Sequence, residues 1–360
     1  VQAGLLENEP RIDYTGGTGS LLLEPSRTNL IGYTEYFLNH NQYNVTFTAN
    51  ETISPENVVN ASMFEVTGTS QPRIEFTVST LSTYSLSIFI KKKVGDYYGF
   101  GFYSSDLGNS YVRFNISTGL NSDITYSGSA LSNGAIEDFG NGWYRISAKL
   151  ITGSSTSKSG AKCAAMTASS FSASNVGYQF YIYGAQLEQG SYPTSYIPNH
   201  SGGSVTRGAD DAYITSASSA INSEEGVLFC EVEALNEVLE SFFEFKISNG
   251  LNQVRIQFPS GSNIQGAVYD GAYQALINYA ATRKQNNKIA FKYKANDFAL
   301  FINGTKVGSD TSGTTFSANF LNRIDLGNEA KVKQALLFPE ALSDAQCSAL
   351  TVEGLKEEIL

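Results

Sequence analysis

Apolar and polar residues alternate along short segments in the first half of the chain. In the segment Tyr84–Ile90, the residues Tyr84, Leu86, Ile88 and Ile90 fall on one side of an extended backbone. A period of two is typical of a β-strand that buries one face. The same pattern predicts a strand over Tyr178–Leu187 and strands with these inward residues: Ile74, Phe76 and Val78; Tyr98, Phe100 and Phe102; Val112, Phe114 and Ile116; Tyr144, Ile146, Ala148 and Leu150.

The second half of the chain repeats this pattern. Asn303-Gly304 predicts a tight hairpin turn, because both residue types enter the left-handed backbone region without strain. Ser343 or Asp344 is the expected N-cap of a short helix, and Glu353–Leu360 is a second helix candidate. The predicted strands are 226–234, 242–247, 253–258, 264–269, 288–293, 298–302, 324–326 and 332–338.

A segment rich in proline and glycine, Gly190–Gly203, lies between the two halves and suits no regular element. The chain has 360 residues, and single hydrophobic cores stop growing at roughly 250–300 residues. We therefore predict an all-β protein of two tandem antiparallel β-sandwich domains, residues 1–203 and 204–360.

Composition narrows the range of partners. Charged residues make up 16% of the chain and the formal net charge is −10, so the chain is poorly suited to neutralise nucleic-acid phosphates. The basic run Lys91–Lys93 ends an apolar strand and is interpreted as a solvated strand end. No apolar stretch reaches the ~20 residues that span a bilayer, so no membrane insertion is expected. The chain begins at Val1, from which we expect a further segment upstream.

Side chains that carry catalysis are scarce. His40 and His200 are the only histidines, and both have loop-like polar neighbours. A Ser–His–Asp or Cys–His pair would have to use one of them. The three cysteines form no CxxC motif and no disulfide framework, and Cys230 is expected to be a buried thiol. We therefore predict that the protein is not an enzyme.

The remaining enzyme hypothesis is a polysaccharide hydrolase or lyase. Glu231 and Glu233 share one face of a strand, and glycosidases use paired carboxylates. The aspartate between them and a third acid, which some concanavalin A-like hydrolases place on this strand, are missing. The alternative is that Glu231 and Glu233 belong to the polar, solvent-facing side of an outer strand.

One group of side chains suits sugar binding, which needs exposed aromatic planes beside amide or charged groups. If Tyr98, Phe100 and Phe102 fill the core, alternation turns five residues of two neighbouring segments outward. The alternative is that these rings pack under loops or against the other domain. The outward residues are Tyr97, Tyr103, Tyr111, Arg113 and Asn115.

Further aromatic candidates stand apart from this group. Trp143 is the only tryptophan, and it serves either as a structural wedge or as a surface that stacks on a sugar. Tyr269, Tyr273 and Tyr279 are weaker candidates in the second half.

Several strings resemble known families. Pro10–Tyr14 with Ser20–Leu30, and Gly184–Pro198, resemble segments of phage tail-fibre and virion-surface proteins. Asn141–Ile146 is similar to a strand of the jelly-roll carbohydrate-binding modules in such proteins. The strings at 299–304 and 336–346 resemble a concanavalin A-like, laminin G-type domain. The resemblance thus implies a jelly roll at 1–203 and a concanavalin A-like sandwich at 204–360.

The resemblance also implies a setting. It implies a protein of the virion surface or extracellular space, in contact with other virion proteins, and a homotrimer as in fibres. No cofactor is required, although structural calcium occurs in both fold families. The candidate calcium ligands are Glu188, Asp210, Asp211 and Asp297.

Three functions follow from the sequence. The first is non-catalytic adhesion of a virion or tail fibre to host-surface glycan. The second is a structural or decoration role in virion assembly without glycan binding. The third is the polysaccharide hydrolase or lyase.

Overall fold

A computed structural model describes residues 9–15, 17–158, 160–166, 176–236, 243–259 and 263–354. The described residues form antiparallel β-sheets and a single α-helix, which confirms the predicted all-β class. The chain divides into two compact units. The first unit comprises residues 27–207, and the second comprises residues 9–26 together with residues 208–354.

The N-terminal segment corrects the simple tandem order of residues 1–203 and 204–360. Strands β1 (Ile12–Asp13) and β2 (Ser20–Leu23) pair with each other, and β2 pairs with the last strand of the chain, Ala330–Phe338. Leu23 is buried in the core of the second unit. Strand β2 thus belongs to a sheet of the second unit. In the sequence, the first unit is inserted between two parts of the second.

The first unit consists of two six-stranded sheets and one short two-stranded sheet. We name the sheets by a central strand. The β9 sheet has the order β11-β10-β9-β14-β7-β4, the β8 sheet has the order β12-β13-β8-β15-β6-β5, and β16 pairs with β3. The strands are β3 (Arg27–Asn29), β4 (Asn41–Tyr43), β5 (Val45–Ile53), β6 (Val59–Val66), β7 (Arg73–Phe76), β8 (Thr83–Val94), β9 (Tyr97–Ser104), β10 (Gly108–Asn115), β11 (Thr125–Ser127), β12 (Leu131–Asp138), β13 (Trp143–Ile151), β14 (Ala161–Met166), β15 (Gln179–Gln189) and β16 (Val205–Arg207), with 3-10 turns at Phe37–Asn39 and Asn121–Asp123.

The core of the first unit lies between these two sheets. The rows predicted from alternation are buried there, including Ile88 and Ile90 of β8 and Phe100 of β9. Phe100 packs edge to face on Phe114 of β10, with ring centroids 5.6 Å apart. The period-two pattern therefore identified the inward side of these strands correctly.

The opposite side of the β8 sheet is also covered. Phe89, Trp143, Tyr183 and Tyr196 form a second, smaller apolar cluster there. Tyr196 belongs to the Gly190–Gly203 segment, which the structure shows as irregular backbone, as predicted. This segment therefore serves as a cover for the sheet and not only as a connection.

Polar side chains hold the cover in place through its backbone. Gln186 of β15 accepts a hydrogen bond from the backbone N–H of Ile197 at 2.6 Å. Arg145 of β13 donates to the carbonyl of Thr194 at 2.7 Å, and Asn29 of β3 donates to the carbonyl of Ile197 at 2.9 Å. These buried groups give the irregular backbone the partners that a sheet would otherwise supply.

The second unit consists of a seven-stranded and a six-stranded antiparallel sheet. The seven-stranded sheet has the order β1-β2-β27-β18-β23-β24-β25, and the six-stranded sheet has the order β17-β26-β19-β20-β21-β22. The elements are β17 (Ala212–Ile214), β18 (Glu225–Ala234), β19 (Phe243–Asn249), β20 (Asn252–Phe258), β21 (Asn263–Tyr269), β22 (Tyr273–Ala280), β23 (Asn287–Lys294), β24 (Phe298–Ile302), β25 (Thr305–Asp310), β26 (Arg323–Leu326), β27 (Ala330–Phe338) and helix α1 (Asp344–Glu353).

Local predictions in the second unit are confirmed. Asn303 and Gly304 have φ angles of 48° and 86° in the hairpin between β24 and β25. Ser343 caps α1, with its side chain accepting from the Gln346 backbone N–H in a capping box. Residues 355–360 of the second predicted helix lie outside the described residues.

The cysteines are buried and unpaired with one another. Cys163 lies in the core of the first unit, and Cys230 and Cys347 lie in apolar clusters of the second. Burial raises the pKa of each thiol, to about 12 for Cys347. No helix in the described part of the chain combines the length and apolar character needed to cross a membrane.

Candidate functional site

Five of the six residues predicted for sugar binding come together on the outward side of the β9 sheet. Strands β9 and β10 form a hairpin in which Tyr97 faces Asn115 and Tyr103 faces Asn109. Tyr111 and Arg113 lie between these pairs, on the same side of the sheet. We call this outward side, with its neighbouring strands, the β9 face.

Two glycines form the middle of the β9 face. Gly101 is the cross-strand partner of Tyr111, and Gly99 is the partner of Arg113. On the other side of β9, Gly101 is the partner of Lys162. Because neighbouring strands lie about 4.8 Å apart, the Cα atoms of Lys162 and Tyr111 are roughly 10 Å apart across a position without a side chain. The β9 backbone therefore lacks side chains at two outward positions, which we call the floor, and both glycines are buried beneath the longer side chains around them.

Backbone packing requires glycine at one of these two positions. A Cβ atom at Gly99 would lie 2.1 Å from the carbonyl oxygen of Val112 and 2.5 Å from Sδ of Met166. Both distances are far below van der Waals contact, so a side chain here would push β10 away from β9. The close approach of β9 and β10 thus depends on Gly99.

Cations lie over tyrosine rings at two places on the β9 face. The Cζ atom of Arg113 is 4.8 Å from the centroid of the Tyr97 ring. On the far strands, Cζ of Arg73 is 4.0 Å from the centroid of the Tyr43 ring. Such contacts orient both the guanidinium and the ring, at roughly 0.5–1 kcal/mol for a partly exposed pair.

A carboxylate with two cationic neighbours lies beside the floor. Nε of Arg73 is 2.7 Å from Oε1 of Glu75, and Nζ of Lys162 is 3.8 Å from the same oxygen. The Lys162 side chain is only 12% exposed. Burial, and then the like charge of Arg73, lower the pKa of the Lys162 ammonium, against the pull of Glu75.

Sequence reasoning missed the part of the face that comes from β4, β7 and β14. Alternation around Ile74 and Phe76 already indicated that Arg73 and Glu75 point outward. That β14 pairs with both β9 and β7, and so brings Lys162 between them, is a long-range arrangement which no local pattern encodes.

The predicted residues differ in how accessible they are. Tyr103 is 39% exposed, whereas Tyr97, Tyr111, Arg113 and Asn115 are half-buried. Asn115 accepts a hydrogen bond from the backbone N–H of Ser117 at 3.1 Å. Its amide oxygen therefore stabilises the turn after β10.

Trp143 does not belong to the β9 face, which corrects its inclusion among the sugar-binding candidates. It lies in the covered cluster of the β8 sheet and is 2% exposed. Its Nε1–H donates to the carbonyl of Ile53 at 3.0 Å. A ring with almost no accessible surface cannot stack on a sugar. The position of Trp143 therefore fits the structural wedge and not the sugar-stacking surface.

The four predicted calcium ligands do not meet at one place. Glu188 lies in the interior of the first unit, where it accepts hydrogen bonds from the N–H and hydroxyl of Thr194. Burial raises the pKa of Glu188, against these two hydrogen bonds. Asp297 is paired with Lys292 at 2.8 Å in the second unit.

The remaining two aspartates lie at a cavity of about 400 Å³ in the second unit. Asp210 is engaged by the guanidinium of Arg11. The cavity wall also contains two ion pairs, Lys246 with Glu244 and Arg323 with Asp325. Within the described ranges, no three His, Cys, Asp or Glu side chains converge on a metal position, so calcium stays a prediction without a located site.

The weaker aromatic candidates lie on the six-stranded sheet of the second unit. Tyr269 and Tyr273 pack edge to face at 5.2 Å, and Arg255 donates to the Tyr273 hydroxyl at 3.1 Å. Tyr279 is 42% exposed further along β22. Tyr273 and Tyr279 are exposed, whereas Tyr269 is half-buried.

The glutamates of the hydrolase hypothesis lie on β18. Glu231 accepts a hydrogen bond from the amide of Asn286 at 2.7 Å and lies 3.5 Å from Nζ of Lys333. Glu233 is half-buried on the same face of the strand. Neither residue lines the cavity described above.

Comparisons with known proteins give distant structural likenesses. No protein-family model matches the chain, and no curated protein matches it. Similar solved structures include CBM40 of the Ruminococcus gnavus IT-sialidase bound to alpha2,3 sialyllactose, at 14% identity over 38% of this chain and 86% of that one, with a TM-score of 0.33. Galectin LEC-6 of Caenorhabditis elegans is 10% identical over 36% and 89% of the two chains, with a TM-score of 0.27. The SAP-like pentraxin of Limulus polyphemus is 12% identical over 36% and 70%, with a TM-score of 0.29. Likenesses at this level assign no function to the chain.

Proposed function

We propose that the protein is a non-catalytic saccharide-binding protein and that the β9 face of its first unit is the binding surface. One observation carries the proposal: Tyr111 and Lys162 flank Gly101 in register, which places an aromatic ring and a cation on either side of a position without a side chain. A pyranose ring presents C–H groups that stack on aromatic planes and hydroxyl groups that bond to polar side chains.

The presence of only one carboxylate among the described strand residues of this face supports a binding role. Among the described strand residues on the outward side of the β9 sheet, Glu75 is the one carboxylate. It is paired with Arg73 and Lys162. Hydrolysis of a glycosidic bond by the common mechanisms uses two carboxylates placed on either side of that bond. The β9 face is therefore suited to hold a saccharide and not to cleave it.

The biological setting is a further part of the proposal. The resemblance of Pro10–Tyr14 and Gly184–Pro198 to segments of phage tail-fibre proteins supports a place on a virion, where the saccharide would belong to the host surface. In a homotrimer, weak sites would act together through their high effective concentration. Immunogold labelling of virions and tail fibres with an antibody against this chain tests this part independently of binding.

A glycan array followed by calorimetric titration tests the binding function. We expect a saccharide ligand whose affinity falls roughly tenfold for Tyr111→Ala but by less than about twofold for Tyr111→Phe, because phenylalanine retains the ring. Tyr14→Ala is the matched control, since Tyr14 is 69% exposed and belongs to the second unit. An array without any bound saccharide, or equal effects of Tyr111→Ala and Tyr14→Ala, would contradict the proposal.

A further inference from the structure

The β9 face differs in charge from the rest of the chain. The whole protein has a formal net charge of −10. The outward-facing described residues of strands β4, β7, β9, β10, β11 and β14 include three cations, Arg73, Arg113 and Lys162, and one carboxylate, Glu75. Three positive charges and one negative charge give the face a net formal charge of +2.

Two of these cations, Arg73 and Lys162, are also poorly hydrated. The side chains of Arg73 and Lys162 are 15% and 12% exposed, and that of Glu75 is 14% exposed. Burying a cation is costly unless an anion compensates it. Glu75 must compensate both Arg73 and Lys162, and the lowered pKa of Lys162 is consistent with this shortage of negative charge.

From this arrangement we infer that the saccharide bound by the β9 face is anionic, with a carboxylate, sulfate or phosphate group placed near Lys162 and Arg73. The inference rests on the proposed function of the face. An anionic group next to the floor would supply the second negative charge that these cations lack. The tyrosine rings would then hold the sugar ring, while the cations would select for its charge.

The experiment compares matched glycans that differ only in charge. An array carries sialylated, uronic acid-containing and sulfated glycans, each beside its neutral counterpart. The best acidic glycan and its neutral counterpart are then titrated at low and high NaCl concentration. We expect at least tenfold tighter binding of the acidic glycan at low salt, and a preference that decreases only in part at high salt, because partly buried charges are screened less than exposed ones.

One variant and its control test whether the preference for the acidic glycan depends on Lys162. Lys162→Gln is expected to reduce the affinity for the acidic glycan at least fivefold more than it reduces the affinity for the neutral counterpart. Lys333→Gln is the matched control, a partly exposed lysine on a strand of the second unit. A melting curve of each variant verifies that both units remain folded.

The possible outcomes separate the two claims. Equal affinity for acidic and neutral glycans would overturn the inference and leave the proposed function intact. A Lys162→Gln variant that loses both affinities equally would also overturn it, because Lys162 would then have only a structural role. Absence of any saccharide binding would overturn the inference together with the proposed function.

Discussion

Arg113 lies over the ring of Tyr97, with its Cζ atom 4.8 Å from the ring centroid, although the two residues are on different strands. The contact is diagonal across the β9–β10 hairpin, since Arg113 is the direct partner of Gly99. It orients a cation and an aromatic plane at one end of the glycine floor. Two side chains that bind a saccharide would thus be held in position before the ligand arrives.

The first prediction concerns this pair. Replacing Tyr97 with leucine removes the ring and the cation–π contact but retains an apolar side chain. We expect saccharide affinity to fall by roughly three- to tenfold, since each contact contributes about 0.5–1.5 kcal/mol. Titration of the variant measures the effect, with Tyr14→Leu as the control. An unchanged affinity would remove Tyr97 from the binding surface.

The second prediction concerns the floor itself. A Cβ atom at Gly99 would lie 2.1 Å from the backbone oxygen of Val112, which a flexible side chain could not relieve. We therefore expect Gly99→Ala to destabilise the first unit by about 1–3 kcal/mol, measured by chemical denaturation. Gly203→Ala is the control, because a Cβ atom there meets nothing within 4 Å. Equal stability of the two variants would show that β9 and β10 are farther apart at Gly99 than the structure indicates.

The third prediction separates Trp143 from ligand binding. Its indole ring is 2% exposed and donates to the carbonyl of Ile53. We expect a saturating concentration of the saccharide to leave tryptophan emission unchanged, because Trp143 is the chain's single tryptophan and lies in the covered cluster. Trp143→Ala should destabilise the first unit by about 3–5 kcal/mol. A ligand-dependent shift of the emission would place the ring at the site instead.

The fourth prediction is a pH dependence from Glu188. Its pKa is raised above the ordinary value of 4.5, chiefly by burial, so the folded protein retains this proton to a higher pH than the unfolded chain. The contribution of the protonated group to stability is complete below pH 4.5 and decreases as the pH rises through the raised pKa.

The comparison with Glu188→Gln isolates this contribution, because glutamine does not titrate. The melting temperature of the wild type minus that of the variant should decrease as the pH rises above 4.5. A difference that stays constant or increases with pH would mean that the hydrogen bonds from Thr194 outweigh the burial of the carboxyl group.

The fifth prediction concerns the thiols. Cys163, Cys230 and Cys347 are buried, and burial raises their pKa values. Because the thiolate is the reactive form, a disulfide reagent such as DTNB should label none of them in the native protein. All three should react after denaturation. Rapid labelling of one thiol under native conditions would reveal local opening around that residue.

The sequence allowed prediction of much of the fold because strands with one buried face carry their pattern locally. Ile88 and Phe100 were assigned to the core by alternation alone, and both are buried there. Trp143 also obeys the alternation, since it points away from Ile146, but the cover over its side of the sheet comes from distant residues such as Tyr196. Alternation distinguishes two faces of a strand, but it does not determine whether the second face is exposed.

The site was predictable within one hairpin and not beyond it. Tyr97, Tyr111 and Arg113 belong to consecutive strands, whose side-chain directions follow from a short turn. Lys162 reaches the face only because β14 inserts between β9 and β7, which are far from it in sequence. The insertion of the first unit into the second was missed for the same reason, since β2 pairs with a strand near the end of the chain.

A crystal structure of the protein with the glycan selected by the array tests the central claim most directly. The account predicts a sugar ring over Gly101, in contact with Tyr111 on one side and near Lys162 on the other. A glycan bound to the six-stranded sheet of the second unit, or in the cavity lined by Asp211 and Arg323, would contradict it.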